Sequence, residues 1–416
     1  MVEALQAEAQ VQGLSCAINS PYSGSLTPIK HYKRERRVKI VGCHFVHYND
    51  GMPNSRPLLD KNLYHSVEHF NLEKERIFYS TWQLAGHRSQ LANPGDYVCL
   101  HIADQHVFVI CGEDHEIRAF YNVCQHRGHE LLQGSGNTSK TILCGYHAWA
   151  YGTEGQLKSA RNTANTEAFN KCDFALEPVR IEQALGFVFV NLDNDANSLQ
   201  DSAGEMFEDI KKHVPHVDEL AVSDKYETEG PDLEANWKIL AENCLECYHC
   251  APSHPAFCDF IDMQSYRATA HGAWLRSYGE LGKADNKAYP VEPNEPSQKA
   301  IYWHLWPNTE LIIYPGEAAM TTFRFHPKTE KLTGTSSLML LKPGESIAQE
   351  RIDYRWNTLW PEDRAICLSV QKGLQSRGYR GGTLVVNEEQ HAVSEHAVAA
   401  FQDLYRQWMS ISGTVS

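Results

Sequence analysis

Hydrophobic and polar positions change rhythm along the chain. Over residues 63–80, LYHSVEHFNLEKERIFYS, the apolar positions Phe70, Leu72, Ile77 and Phe78 recur at helical spacing. From Trp82 to Leu192 the texture becomes short strands: YVCLHI (97–102), HVFVICG (106–112), IRAFYNVC (117–124), TILCGYHAWAYG (141–152) and LGFVFVNL (185–192). Pro94-Gly95, Gly112-Glu113-Asp114, Gly134 to Asn137 and Gly152 to Gly155 punctuate them, so a small all-β domain is expected. Beyond residue 193 helices and strands mix. NWKILAENCLECYHC (236–250) reads as a helix, IYWHLWPNTELIIYP (301–315) and AMTTFRFHP (319–327) as strands. PEDRAICLSVQKGLQS (361–376) is again helical, with Pro361 suited to a first turn, and an amphipathic stretch covers 389–410.

These changes divide the chain into a flexible lead-in over 1–55, a helix over 56–80, a β domain over 81–192 and a mixed domain over 193–416. No run of about 18 apolar residues is present, so no membrane span is expected. The net charge of −14 argues against nucleic acid, which needs a basic face. The basic run Lys30 to Lys39 reads as a solvated arm, with docking of an acidic redox partner as the alternative. Without a recognisable secretory signal, the 12 cysteines point to reduced thiols or metal ligands and to the cytoplasm.

Two constellations carry chemistry. Cys124-Gln125-His126 and Cys144-Gly145-Tyr146-His147 lie 17 residues apart in the β domain, on neighbouring loops of one small sheet. A [2Fe–2S] cluster with two thiolates on one iron and two imidazoles on the other takes one Cys and one His from each loop. Zinc also accepts two Cys and two His, but its usual spacing groups like with like. His129 reads as a loop histidine. In the mixed domain, His249 and His254 bracket Pro252, and a turn there brings the two imidazoles together. With one carboxylate they form a facial triad, the usual platform for Fe(II) oxygen chemistry. Cys244, Cys247 and Cys250 have CxxCxxC spacing with Cys258 beyond, yet on a continuous helix they drift around the axis and read as packed thiols.

The boxes CQHRG (124–128) and CGYHAW (144–149) resemble the ligand boxes of Rieske proteins, and the segment from Asn236 to Pro255 resembles the iron box of Rieske non-heme iron oxygenase large subunits. Ala148 stands where that family usually has Gly, which would strain a positive φ. The resemblance covers roughly residues 63–405. It implies an α+β fold: an all-β Rieske domain beside a helix-grip catalytic domain with an antiparallel sheet, in a homotrimer. It implies Asp363 as the third iron ligand, since the VQKGL that follows is family-like, with Glu362 as fallback. It also implies Glu246 as the acid that bridges to a Rieske histidine of the neighbouring subunit. The cofactors are then a Rieske cluster and mononuclear Fe(II), with O2 as co-substrate. The chain has no nucleotide fingerprint between strand and helix, so NAD(P)H would act through a separate flavin and iron–sulfur reductase.

ECYHC followed by HP is similar to oxygenases of glycine betaine, stachydrine and carnitine, implying N-demethylation of a quaternary ammonium substrate. Trp303, Trp306 and Tyr314 are the aromatic candidates for that cation, and Arg324 for a substrate carboxylate. Hydroxylation of an aromatic or alicyclic acid is the alternative within the family. A Rieske electron-transfer protein without oxygenase activity is the alternative outside it, and a zinc-holding structural protein is another.

Overall fold

The computed structural model describes residues 55–410, apart from 164, 165, 167, 168, 227 and 388. The expected lead-in over 1–55 and its basic run therefore lie outside the described residues, save Ser55 itself. Beside a two-stranded antiparallel pairing of Ser55–Pro57 with Thr383–Val385, three larger antiparallel sheets organise the described chain. The first has seven strands in the order 83–87, 187–191, 178–184, 117–121, 105–111, 96–102 and 135–137. Its inner positions, among them Val107, Val109, Val188 and Val190, are fully buried, as the alternating runs predict. A small three-stranded sheet (142–143, 150–151, 157–159) stands beside it and carries the second Cys–His box on its first hairpin. TILCGYHAWAYG is thus two short strands flanking a turn rather than one continuous strand.

The third sheet has eight strands, all antiparallel, running from Ala221–Val222 at one edge to Arg267–Ala270 at the other. Its central strands, Lys299–Leu305, Thr309–Ile313, Met320–Thr329 and Leu332–Leu341, alternate their side chains between two faces. One face buries Trp303, Leu305 and Leu311 with the helix Met206–His213. The other faces the helices Trp237–Cys244, Trp360–Leu374 and His396–Met409.

Those helices are tied by a buried polar knot. Glu73, fully buried at the end of the helix Val67–Glu73, accepts from Lys238 Nζ at 2.5 Å, Trp237 Nε1 at 2.8 Å and the Tyr405 hydroxyl at 2.7 Å. Burial pulls the Lys238 ammonium toward its neutral form, and Glu73 works against that pull. One turn on, Glu242 accepts from Tyr64 and Gln402 at 2.7 and 2.8 Å. The tryptophan and lysine of the NWK box are therefore anchors for the helix that leads into the two histidines. Asn236 begins that helix, its side chain accepting from Lys238 N at 3.0 Å.

The second Cys–His loop turns back at Ala148. Its N–H donates to Cys144 O at 3.1 Å, and Cys144 N–H donates to Trp149 O at 2.8 Å. This closure puts Ala148 at φ +57°, in the left-handed region where a Cβ costs energy. The substitution Ala148→Gly should stabilise the folded chain by about 1 kcal/mol. A raised unfolding midpoint is the expected result, and an unchanged or lowered one contradicts the strained turn.

Candidate metal centres

The two Cys–His boxes meet at the tips of facing loops. Cys124 and Cys144 are each 2% exposed and lie close enough for their thiols to interact. The Tyr151 hydroxyl lies 3.3 Å from Cys124 Sγ and accepts from Gln125 N–H at 3.0 Å. Burial raises the Cys124 pKa, the Tyr151 bond opposes that, and the Cys144 thiol adds to it. His126 and His147 stand edge to face, ring centroids 4.6 Å apart, and His126 stacks on Trp149 at 4.7 Å. The thiol end is sealed, whereas His126 is exposed and His147 half-buried. His147 Nδ1 is buried without a hydrogen-bond partner, as a ligand nitrogen lacking its metal would be.

The arrangement of the four side chains favours a cluster over the zinc alternative. Tetrahedral zinc holds N and S ligands about 2.0–2.3 Å from one ion, which brings all four ligand atoms within about 4 Å of one another. Among the described residues, the group whose ligand atoms all close to within 4.8 Å is His249, His254 and Asp363, not the Cys–His set. Two neighbouring thiols and two neighbouring imidazoles match the two irons of a [2Fe–2S] cluster. His129 stays outside it, exposed, with its carbonyl accepting from Cys124 N–H at 2.8 Å.

The second constellation is built differently from the sequence expectation. The helix from Trp237 stops at Cys244, and a short helix resumes at Cys250. Residues 246–249 form a turn, not a continuous helix with its bend at Pro252. Glu246 caps that turn: its carboxylate accepts from Tyr248 N–H, from His249 N–H at 3.2 Å and from His249 Nδ1 at 2.5 Å. Glu246 and His249 thus meet through the turn. The break also overturns the reading of packed free thiols. Cys247 and Cys250 are joined in a disulfide, their Cα atoms 4.9 Å apart across the turn. Cys172 is disulfide-bonded as well, whereas Cys244 and Cys258 are free.

Three ligand atoms converge on one point. His254 Nε2 lies 3.0 Å from Asp363 Oδ1, and His249 Nε2 lies 3.5 Å from the same oxygen. Each imidazole gives its other nitrogen to a carboxylate: His249 to Glu246, and His254 to Glu362 at 2.8 Å. Glu362, the fallback ligand, therefore orients a histidine, and Asp363 faces the shared point. Asn243, which drew no attention in sequence, donates to Asp363 Oδ1 at 3.1 Å and lies 3.1 Å from His249 Nε2. Burial works against ionisation of Asp363, but the two imidazoles outweigh it and hold its pKa below the ordinary value. Burial likewise opposes protonation of His249, yet Asp363 and Glu246 raise its pKa to about 9. The cluster of negative charge that produces these shifts is what a divalent cation would replace the proton to meet.

A cavity of about 140 Å³ opens beside the triad. Tyr314 lines it, together with Tyr302, Phe323, Trp356 and Trp360. Trp303 and Trp306 do not. Strand alternation turns Trp303 to the opposite face, where its indole donates to Asp209 at 2.7 Å. Trp306 lies in the core against Trp237 and Phe401. Arg324 likewise points away and donates to the carbonyl of His101 in the seven-stranded sheet.

With this geometry in place, comparisons with known proteins agree on one family. Residues 81–170 match the Rieske [2Fe-2S] domain, and residues 217–411 match the ring hydroxylating alpha subunit (catalytic domain). The chain is 36% identical to a carnitine monooxygenase oxygenase subunit of Acinetobacter pittii (strain PHEA-2), over 83% of this chain and 93% of that one. It is 37% identical to the corresponding subunit of Escherichia coli (strain K12), over 81% and 90%. Its fold matches the solved quaternary ammonium Rieske monooxygenase CntA in complex with L-carnitine, with a TM-score of 0.76, 34% identity and coverage of 85% and 95%. A Rieske cluster and a mononuclear iron are the cofactors that these two domains imply. The chain belongs to the Rieske non-heme iron oxygenases, as an oxygenase subunit that joins a Rieske domain to a ring-hydroxylating-type catalytic domain.

Proposed function

We propose that this chain is the terminal oxygenase of a monooxygenase that oxidises a betaine-like quaternary ammonium compound at a carbon bound to nitrogen, most directly an N-methyl group. The observation that carries the proposal is the convergence of His249, His254 and Asp363 beside an aromatic-lined cavity, on a chain that also holds a Cys–His cluster pocket. Residues 81–192 form its Rieske unit, and residues 56–80 and 193–416 its catalytic unit. Nε2 of each histidine and a carboxylate oxygen of Asp363 hold the mononuclear iron. Cys124 and Cys144 hold one iron of the cluster, and His126 and His147 the other. When bound, these groups supply single electrons and reductive activation of O2.

The chain's own residues do the rest. Glu246 and Glu362 fix the tautomer and tilt of the two imidazoles through their Nδ1 atoms. The rings of Tyr302, Tyr314 and Trp360 offer π faces to an ammonium. Oxidation of an N-methyl group gives a hemiaminal, which breaks to formaldehyde and a tertiary amine. One oxygen atom of O2 leaves as water, with two electrons and one proton that come from NAD(P)H through a separate reductase and a second proton from solvent, and the breakdown of the hemiaminal returns a proton. The identity of the carnitine-oxidising relatives supports this substrate class.

The reading also places the chain in a homotrimer in the cytoplasm, with the cluster of one subunit serving the iron of the next. Among the described residues no recorded hydrogen bond or ring contact joins His126 or His147 to the iron triad or to Glu246. The exposed imidazole end of the cluster pocket suits an outside acceptor, and Glu246 lies beside Tyr248, which is 48% exposed.

Chemically reduced, iron-replete protein mixed with O2 and a panel of betaines and aromatic acids should release formaldehyde from a betaine in a single turnover. Release of a free tertiary amine without formaldehyde would keep the class and move the attack to a neighbouring methylene. Ring-hydroxylated product alone would discard the betaine reading. The Glu246→Gln variant should keep both metal centres and lose coupled turnover by about 10–100-fold. Unchanged turnover would sink the inter-subunit route.

A further inference from the structure

The proposed activity leaves two buried charges on the cavity wall without a task. Glu310 sits in the strand Thr309–Ile313 and is 3% exposed. Across the ladder it faces His304, whose Nδ1 is 3.5 Å from Oε1, too long for a good hydrogen bond. The Cys244 thiol beside it is a weak donor, and the Tyr266 and Tyr314 hydroxyls act on it only through their electrostatics. Buried carboxylates are ordinarily met by a full cation or by several N–H donors. Among the described residues Glu310 has neither, and it lines the cavity.

Arg355 stands at the other end. It is 5% exposed, pairs with Glu317, donates to Thr321 Oγ1 at 3.0 Å and lies 4.2 Å over the Tyr314 ring. Its Nε makes no hydrogen bond. Glu317 is not part of the cavity wall, whereas Arg355 is. A guanidinium carries five donors in a rigid fork, so Glu317 can fix it from behind while further N–H groups serve a second carboxylate.

The strand sets the spacing of these charges. Glu310, Ile312 and Tyr314 occupy alternate positions on one face, and their backbones span about 13 Å from first to last. Tyr302 stands opposite Ile312 and packs its ring 5.8 Å from Tyr314, between the two ends. Cys244, in contact with Glu310, adjoins Asn243, which bonds the iron-triad side chains. The anionic end of the cavity is thus the end nearest the triad.

We propose that Glu310 recognises the ammonium of the substrate and Arg355 its carboxylate, so that the cavity selects a zwitterion whose charges are several methylene groups apart. This rests on the proposed oxidation of a betaine and assigns the residues that set its specificity. An ammonium beside Glu310 turns its methyl groups toward the triad, while a carboxylate drawn to Arg355 keeps the molecule from sliding. A betaine with one carbon between its charges cannot engage both ends at once.

The test is calorimetric binding to the holoenzyme, alongside single-turnover yield. The ligands are 4-(trimethylammonio)butyrate, its uncharged-head isostere 5,5-dimethylhexanoate, its methyl ester, and trimethylglycine. Wild-type protein should bind the first at least about tenfold more tightly than each of the other three. The Glu310→Gln variant should lose the preference for ammonium over isostere and keep its affinity for the isostere within about twofold. Removing both members of the second pair, Arg355→Met with Glu317→Leu, should abolish the preference for acid over ester without stranding a carboxylate. Full ammonium preference in Glu310→Gln, or equal wild-type affinity for ammonium and isostere, overturns the assignment. Where a variant does not fold, the wild-type comparison decides. Wild-type turnover of betaines with unaltered selectivity in the variants defeats this inference alone, whereas no turnover of any betaine defeats the activity on which it rests.

Discussion

Three ligand atoms drawn from two segments 109 residues apart meet within 4.8 Å, and much of the catalytic half of the chain holds them there. Two of the three flank the four-residue helix Cys250–Ser253, an element with little stability of its own. That segment is fixed at one end by the buried knot of Glu73 with Trp237, Lys238 and Tyr405, and at the other by Asp363 and Glu362 on the long helix 360–374. Breaking the knot from either side would leave a charge in a dry core, a situation that costs about 3–5 kcal/mol. The carboxylates around the site serve one purpose in common. Asp363 meets the shared point, and Glu246 and Glu362 each aim an imidazole at it.

The cluster pocket obeys the opposite rule. Its thiols are buried and its imidazoles look outward, so the end able to exchange electrons is the end facing solvent. The Rieske unit packs on the catalytic sheet through contacts that include buried hydrogen bonds. Asn308 donates to Gln83 at 3.1 Å, and Arg324 donates to His101 O. This packing fixes the cluster pocket relative to the catalytic sheet.

The metal-binding boxes were legible because ligand chemistry leaves short, local signatures. Cys124, His126, Cys144 and His147 are read from spacing, and Asp363 from the family-like run that follows it. What sequence obscured was set by three-dimensional parity and by long-range pairing. The segment 301–315 was read as one strand unit, but it is two strands around a turn, so nothing fixed which residues face the cavity. Tyr302 does, and Trp303 does not. Apolar spacing continues through Cys244 although the helix ends there, because Glu246 offers the backbone a better turn. Glu73 carries no local signal, since its three partners lie at least 164 residues away. Asn243 and Tyr151 carry no motif of their own, and only their contacts mark them.

The most direct test of the converging triad is elemental analysis with electron paramagnetic resonance on reduced wild-type protein and the Asp363→Ala variant. The account predicts about three irons and two acid-labile sulfides per chain in the wild type. In the variant it predicts a fall to about two irons, with the cluster signal intact and turnover gone. A variant that keeps all three irons and its activity would contradict the account, because the carboxylate on which the two histidines converge would then not hold the metal.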